Sequence, residues 1–218
     1  MTLAIFDLDN TLLAGDSDHA WGEFLVEEGI VDAEVYRKAN DRFYEEYLNG
    51  GLDILSYLRF ALQPLSIHSM DELLDWRGRF MEKKVRPMLQ QKARKLLDSH
   101  RERGHTLMII TATNRFVTEP IAEVLGIDHL IATEPEMVNG RYTGEIAGTP
   151  SFQGGKVTRL DDWLVATGED LNGAWFYSDS HNDLPLLEKV DNPVAVDPDP
   201  KLEAFAKNKG WRVMTLRD

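Results

Sequence analysis

Apolar positions fall into a few short unbroken runs separated by longer stretches with helical spacing. Residues 3–8 form the first run, which reads as a buried strand. Similar runs at 106–110, 174–177 and 193–196, and a weaker one at 211–214, predict further strands. Between them, Leu89, Ala93, Leu96 and Leu97 lead to Gly104, Ile121, Val124 and Leu125 to Gly126, and Val157, Leu160 and Leu164 to Gly168. Each glycine stands where a helix C-cap is expected. Strands alternating with helices predict an α/β protein with a parallel sheet covered on both faces.

The rhythm breaks over residues 15–85, which contain no convincing strand. Trp21, Phe24 and Leu25, then Val35, Ala39, Phe43 and Tyr47, then Ile54, Leu55, Leu58 and Leu62 follow helical spacing. Ser69-Met70-Asp71-Glu72 is a capping-box pattern ahead of Leu73 and Leu74. Gly50-Gly51 and Pro64 are expected to break helices. Asn139-Gly140, between Met137-Val138 and Tyr142-Thr143, predicts a hairpin over residues 136–146. The expected organisation is a Rossmann-like core from residues 1–14 and 86–218, with residues 15–85 inserted as an α-helical cap domain. There is no internal repeat.

Composition narrows the partners. The 218 residues carry 24 Lys+Arg against 37 Asp+Glu, a formal charge of −13. That deficit argues against nucleic acid and against an anionic membrane surface as partners. With no cysteine there is no disulfide, thiolate nucleophile or Cys-ligated metal. No apolar run reaches the ~20 residues of a membrane helix, and the N-terminus lacks the basic segment of a signal peptide. The cytoplasm is the expected location, and the pattern assigns no oligomeric state.

The chemistry begins at Asp7-Leu8-Asp9-Asn10-Thr11, where the first strand should end. Ligands of open α/β sheets bind beyond the carboxyl ends of strands. Two carboxylates held together there repel unless a cation or a shared proton relieves them. Oxygen ligands suit a hard cation, which points to magnesium. Thr111 puts a hydroxyl at the end of a second strand. Lys156, after Gly154-Gly155, puts an ammonium at a helix N-terminus, where anions are favoured. Asp179 and Asp183 follow the strand at 174–177. Singly, these read as a strand terminator, a surface cation, and turn or cap residues. Together they would hold a phosphoryl group during in-line transfer.

This order and spacing resembles the haloacid dehalogenase superfamily of phosphatases, with Asp7 to Thr11 as first motif, Thr111 as second, Lys156 as third and Asp179 with Asp183 as fourth. The helical insertion is similar to the cap of the phosphoserine-phosphatase-like branch. The resemblance implies a magnesium-dependent phosphomonoester hydrolase working through an aspartyl-phosphate on a small-molecule phosphate ester. Asp7 would be the nucleophile, and Asp9 the acid that protonates the leaving alcohol and then activates water. Asp7, the Asp9 carbonyl and Asp179 would bind Mg2+, Asp183 would support that shell and orient Lys156, and Thr111 and Lys156 would hold phosphate oxygens. Asp9, rather than Asp7, is then expected to have the raised pKa.

Specificity should come from the cap. Asp16 lies nine residues beyond Asp7, similar to the glutamate that pairs with the substrate amine in phosphoserine phosphatases, and it equally suits a helix N-cap. Those enzymes usually place two glycines after the phosphate-binding hydroxyl, whereas this chain reads Thr111-Ala112-Thr113-Asn114-Arg115-Phe116. Asn114 reads as a helix cap beside a surface Arg115. The acid-rich cap favours a cationic leaving group. Gly15 to Phe24 looks like a bacterial subgroup that includes histidinol-phosphate phosphatases. L-histidinol phosphate is thus the first expected substrate and phosphoserine the second. Trp21 or Phe24 would stack on the imidazole or else fill the cap core, and His19 reads as a polar helix-start residue. A phosphotransferase would use the same intermediate. A signalling receiver would carry its phosphorylated Asp mid-chain and need no second carboxylate.

Overall fold

A computed structural model describes residues 2–217. The chain opens with β1 (Leu3–Phe6) and a wide turn over Leu8–Leu12. Helices α1 (Ser17–Glu27), α2 (Ala33–Asn49), α3 (Ile54–Ile67) and α4 (Met70–Phe80) follow. A wider turn over Met81–Val85 carries α4 into the short α5 (Arg86–Met88). Then come α6 (Gln91–Glu102), β2 (Thr106–Asn114), α7 (Arg115–Leu125) and β3 (His129–Thr133). The hairpin β4 (Pro135–Val138) and β5 (Arg141–Ile146) precedes α8 (Gly154–Thr167) and β6 (Trp175–Ser178). After a tight turn at His181–Asp183, α9 (Leu184–Leu187), β7 (Asn192–Val196), α10 (Pro200–Lys209) and β8 (Arg212–Met214) complete the described chain.

The main sheet has order β3-β2-β1-β6-β7-β8 with every pair parallel. The α/β expectation therefore holds. Winding proceeds outward from β1 through β2 to β3, then resumes at β6 on the other side. The order switches between β1 and β6, and the carboxyl ends of those two strands flank the crevice where ligands bind in such sheets.

Alternation along the strands divides the core. Ala4, Phe6, Leu107, Ile109, Tyr177, Val194 and Val196 point to one face, Leu3, Ile5, Met108, Ile110, Phe176 and Ala195 to the other. Every residue of β1 is fully buried, as a central parallel strand requires. The first face packs on α1, α6 and α7, the second on α8, α9 and α10 through Leu160, Leu186, Leu187, Leu202 and Ala206.

The helices between β1 and β2 share that first core rather than forming a separate one. Trp21 is 1% and Phe24 0% exposed. Trp21 stacks on Phe24 at 5.5 Å and meets Phe80 at 5.2 Å and Phe116 of α7 at 5.8 Å. Both rings therefore fill the core, and stacking on a ligand is excluded for them. Three local signals act as read from the sequence. Ser69 and Glu72 form a reciprocal capping box, Gly126 and Gly168 end α7 and α8 in the left-handed conformation, and Asn139 (φ 53°) with Gly140 (φ 77°) turns the hairpin.

One expectation needs correction, and two elements went unpredicted. Pro64 does not break a helix: α3 runs through it to Ile67, because a proline in the last turns removes only one backbone bond. The edge strand β3 has only three consecutive apolar residues, Leu130, Ile131 and Ala132, too short a run to mark it. The helix α10, at mean apolar content too low to show a stripe, begins at Pro200 behind the Asp199 cap.

Phe80→Ala should cost about 3–5 kcal/mol of unfolding free energy in denaturant titrations, because the ring is fully buried where the helical insertion meets α7. A loss below about 1 kcal/mol would mean that the insertion and the sheet do not share a core.

Candidate active site

Asp7 is the first residue past β1, and its N–H donates to the Tyr177 carbonyl of β6 at 2.9 Å. The chain then needs a sharp turn, which Asn10 supplies in the left-handed region (φ 55°). Arg217 braces that turn from the far end of the chain, donating to the carbonyls of Asn10 at 2.9 Å and Leu13 at 2.8 Å.

Lys156 sits in the first turn of α8 and is 4% exposed. Its Nζ donates to Asp7 Oδ1 and to Asp183, each at 2.8 Å. Gly155 is required beside it, because any Cβ there would overlap the Pro150 carbonyl. Asp183 is fixed further by Ser178 Oγ at 2.7 Å. Asp179, past β6, accepts from Thr11 Oγ1 at 3.0 Å, while the same hydroxyl lies 3.4 Å from Asp7 Oδ2 and accepts from the Asp179 N–H. Asp9 accepts from Thr113 Oγ1 at 2.7 Å and from the Ser17 N–H at 2.6 Å. Asp16 caps α1 by accepting from the N–H groups of Asp18 and His19.

These residues share one cleft, whose lining includes Asp7, Asp9, Thr111, Lys156 and Asp183, and on the helical side Asp16. The sequence-derived residues thus converge, with Asp179 joined through Thr11. Asp16 serves as a helix cap, as one of its two readings had it, and it also lines the cleft. Asn114 caps α7 through Val117, as read from the sequence, whereas Arg115, read as a surface residue, is partly buried and pairs with Glu134 at 2.7 Å. His19 lines the cleft and lies 3.2 Å from Asp41.

Sequence reasoning placed Thr11 in the first motif without giving it a role and missed the roles of Thr113 and Ser17, whose hydroxyl or amide only gains meaning once the carboxylates are placed. It also missed Asp18, Phe43, Tyr44 and Tyr57, which line the helical end of the cleft. Acidic Asp18 beside an aromatic pattern on two later helices was the available signal.

Burial dominates the electrostatics. It raises Asp7 to about 7, with the neighbouring Asp183 and Asp9 adding and Lys156 opposing. Asp9 rises to about 6 by burial and by the charge of Asp16. The expectation that Asp9 alone would be raised is therefore corrected: the nucleophile candidate is as deeply desolvated as the acid. Asp179 is also raised well above the ordinary carboxylate range by burial and by Asp7 and Asp183. Burial lifts Asp16 to about 6 and Asp18 to about 7.

The residues fit a hard divalent cation. Asp7 and Asp179 converge on one hydroxyl, which has a single proton for two carboxylates, and their mutual repulsion asks for a positive charge between them. Among the described residues, no three acidic or histidine side chains form a metal-sized group. A site of two carboxylates completed by main-chain oxygen and water is of the kind magnesium uses.

The comparisons with known proteins agree with this geometry. Residues 4–188 match the model of the haloacid dehalogenase-like hydrolases. The chain belongs to that family. It is 46% identical over 219 residues to a histidinol-phosphatase of Neisseria meningitidis serogroup C, covering 99% of each chain. It is 29% identical to a phosphoserine phosphatase of Mycobacterium tuberculosis, covering 98% of this chain and 70% of that one. Among solved structures, a protein of unknown function from Bordetella pertussis Tohama I superposes with TM-score 0.94 at 45% identity over 100% of both chains. A substrate-bound phosphoserine phosphatase superposes with TM-score 0.72 at 17% identity, covering 99% of this chain and 93% of that one, which shows the shared fold. Within its family the chain is a phosphoric monoester hydrolase. Among the described residues no helix is long and apolar enough to cross a membrane.

A carboxyl whose folded pKa is raised holds its proton more tightly folded than unfolded. Its contribution to stability is therefore lost as pH climbs from about 3.8 toward the folded value, about 7 for Asp7 and about 6 for Asp9. A cation relieves the ionised form only. Magnesium should raise the melting temperature by about 5–10 °C at pH 8 and by clearly less at pH 5.5. Equal shifts at the two pH values in calorimetry would contradict carboxylate binding.

Proposed function

We propose that the protein is a magnesium-dependent, cytoplasmic phosphatase acting on L-histidinol phosphate through a phosphoryl group carried on Asp7. The observation that carries the substrate assignment is the charge of the cleft. Among the described residues, Lys156 is the one Lys or Arg in its lining, and it is engaged by Asp7 and Asp183. The helical end instead presents Asp16 and Asp18 among Phe43, Tyr44 and Tyr57. A phosphoserine carboxylate would enter there without a cation and against two acids, a costly burial. L-histidinol phosphate has no carboxylate. Its ammonium suits Asp16, and its ring suits an aromatic wall.

The chemistry follows from the placement of the acids. An Asp7 oxygen attacks phosphorus while the ester P–O bond breaks, and the Asp9 carboxyl gives its proton to the departing alkoxide. Asp9, now ionised, takes a proton from water. The water oxygen attacks phosphorus, the bond to Asp7 breaks and inorganic phosphate leaves. A pKa raised to about 6 suits Asp9 to hold a proton for the first step and accept one in the second. Thr113 and the Ser17 N–H orient Asp9. Thr111 and Lys156 line the phosphate end of the cleft as donors for its equatorial oxygens. Magnesium, held by Asp7, the Asp9 carbonyl and Asp179, would supply positive charge to the transferring group, and Asp183 would fix Lys156 beside it.

Steady-state turnover of both esters tests the assignment. The kcat/KM for L-histidinol phosphate should exceed that for phosphoserine by at least about 10²-fold, and a ratio favouring phosphoserine would reverse the substrate order. Asp7→Asn should lose about 10³-fold or more of kcat while phosphate still binds in calorimetry. Substantial retained turnover would remove Asp7 as the nucleophile.

A further inference from the structure

One carboxylate of the cleft has no work in the reaction described above. Asp18 lies in the first turn of α1, past the Asp16 cap. Asp16 spends its Oδ1 on two backbone N–H groups, and its charge is the one that Asp9 feels most. Asp18 Oδ1, in contrast, is shut off from solvent and has no hydrogen-bond partner. The Tyr57 hydroxyl interacts with the same carboxyl. Tyr57 is in turn held edge-on by Phe43 at 5.4 Å, and Phe43 packs on Phe60 at 5.3 Å.

An unpartnered buried carboxylate oxygen costs stability. A role limited to the helix dipole would leave that oxygen in water, where the favourable interaction with the helix N-terminus costs nothing in desolvation. Here it is instead enclosed at the aromatic end of the same cleft that holds Asp7 and Asp9. Such an arrangement is complete when a ligand brings an N–H donor attached to a flat ring: the donor meets the oxygen and the ring meets Phe43 and Tyr57.

We infer that Asp18 is a specificity-determining residue that accepts a hydrogen bond from the ring N–H of the leaving group, and so selects an imidazole over a ring of equal size without a donor. This deepens the proposed function and rests on its substrate class. In L-histidinol phosphate the ring hangs one carbon beyond the amine-bearing carbon. The two acids then divide the work, Asp16 meeting the ammonium nearer Asp9 and Asp18 meeting the ring farther out.

The experiment compares L-histidinol phosphate with L-phenylalaninol phosphate, which keeps the phosphate, the amine and a ring but has no ring N–H. Wild-type kcat/KM should favour the imidazole ester by about 10²-fold, because a buried acceptor left unmatched rejects the donor-less analogue. In Asp18→Leu, which removes the acceptor at nearly the same volume, that ratio should fall at least about 10-fold while turnover of L-phenylalaninol phosphate is retained, and in Tyr57→Phe it should fall by several-fold. A ratio that survives in Asp18→Leu overturns the inference. Absence of wild-type turnover of L-histidinol phosphate, with turnover of other phosphate esters retained, would instead defeat the substrate assignment on which the inference rests.

Discussion

The burial of Asp7 and Asp183 together depends on one ammonium. Lys156 Nζ reaches both at 2.8 Å in a setting where each of the three side chains is almost wholly removed from water. Without it, two buried like charges would face each other, and removing one partner of such a buried group costs about 3–5 kcal/mol. The surrounding structure is arranged to deliver that ammonium. A loop with Gln153 in the left-handed region (φ 47°) and a glycine pressed on the Pro150 carbonyl start α8 where Lys156 points into the strand-end crevice. Asn182, beside Asp183, accepts from Gln153 Nε2 at 2.9 Å, so the loop before Lys156 and the turn before Asp183 are tied together.

A second constraint follows from the first. Lys156 only partly offsets the burial of Asp7, and it leaves Asp179, Asp9, Asp16 and Asp18 with hydroxyls and backbone N–H groups; all five have raised pKa values. Hydrogen bonds stabilise these carboxylates, yet burial outweighs them in each case. The cleft therefore holds buried acids without a cationic partner at both ends. At the strand ends this suits a divalent cation with a phosphoryl group. At the helical end it suits a leaving group that is itself cationic. The same physical condition underlies both the family chemistry and the substrate preference proposed above.

The helical insertion and the sheet are joined by more than the cleft. Trp21, Phe24, Phe80 and Phe116 pack as one aromatic cluster across their boundary. At the other side of the cleft, the C-terminal end of α2 meets core residues: Lys201 Nζ donates to the Asn49 carbonyl at 3.1 Å and Asn182 Nδ2 to the Tyr47 carbonyl at 3.4 Å. The first junction is apolar and continuous with the core, whereas the second adds to these polar contacts a ring contact between Tyr47 and Phe152 at 6.2 Å.

Much was legible in the sequence because its causes are local. Short apolar runs mark β1, β2, β6 and β7, glycines at C-caps end α7 and α8, Asn139-Gly140 turns the hairpin, and the acids and the lysine stand at strand ends and a helix start. Those patterns indicate an α/β fold and put Asp7, Asp9, Thr111, Lys156, Asp179 and Asp183 at strand ends and a helix start, and the resemblance of their order to a known superfamily is what implies a phosphatase. Only the tertiary structure decided which groups hold these residues in place. A hydroxyl such as Thr11 or Thr113 has no assignable partner until a carboxylate 168 or 104 positions away is brought against it. The same holds for the rings: Trp21 and Phe24 look like candidates for stacking in the sequence, yet packing buries them in the core and brings Phe43, Tyr44 and Tyr57 to the cleft. Periodicity says which residues share a helix face, but which face meets the core and which meets the ligand is settled by how helices pack on one another.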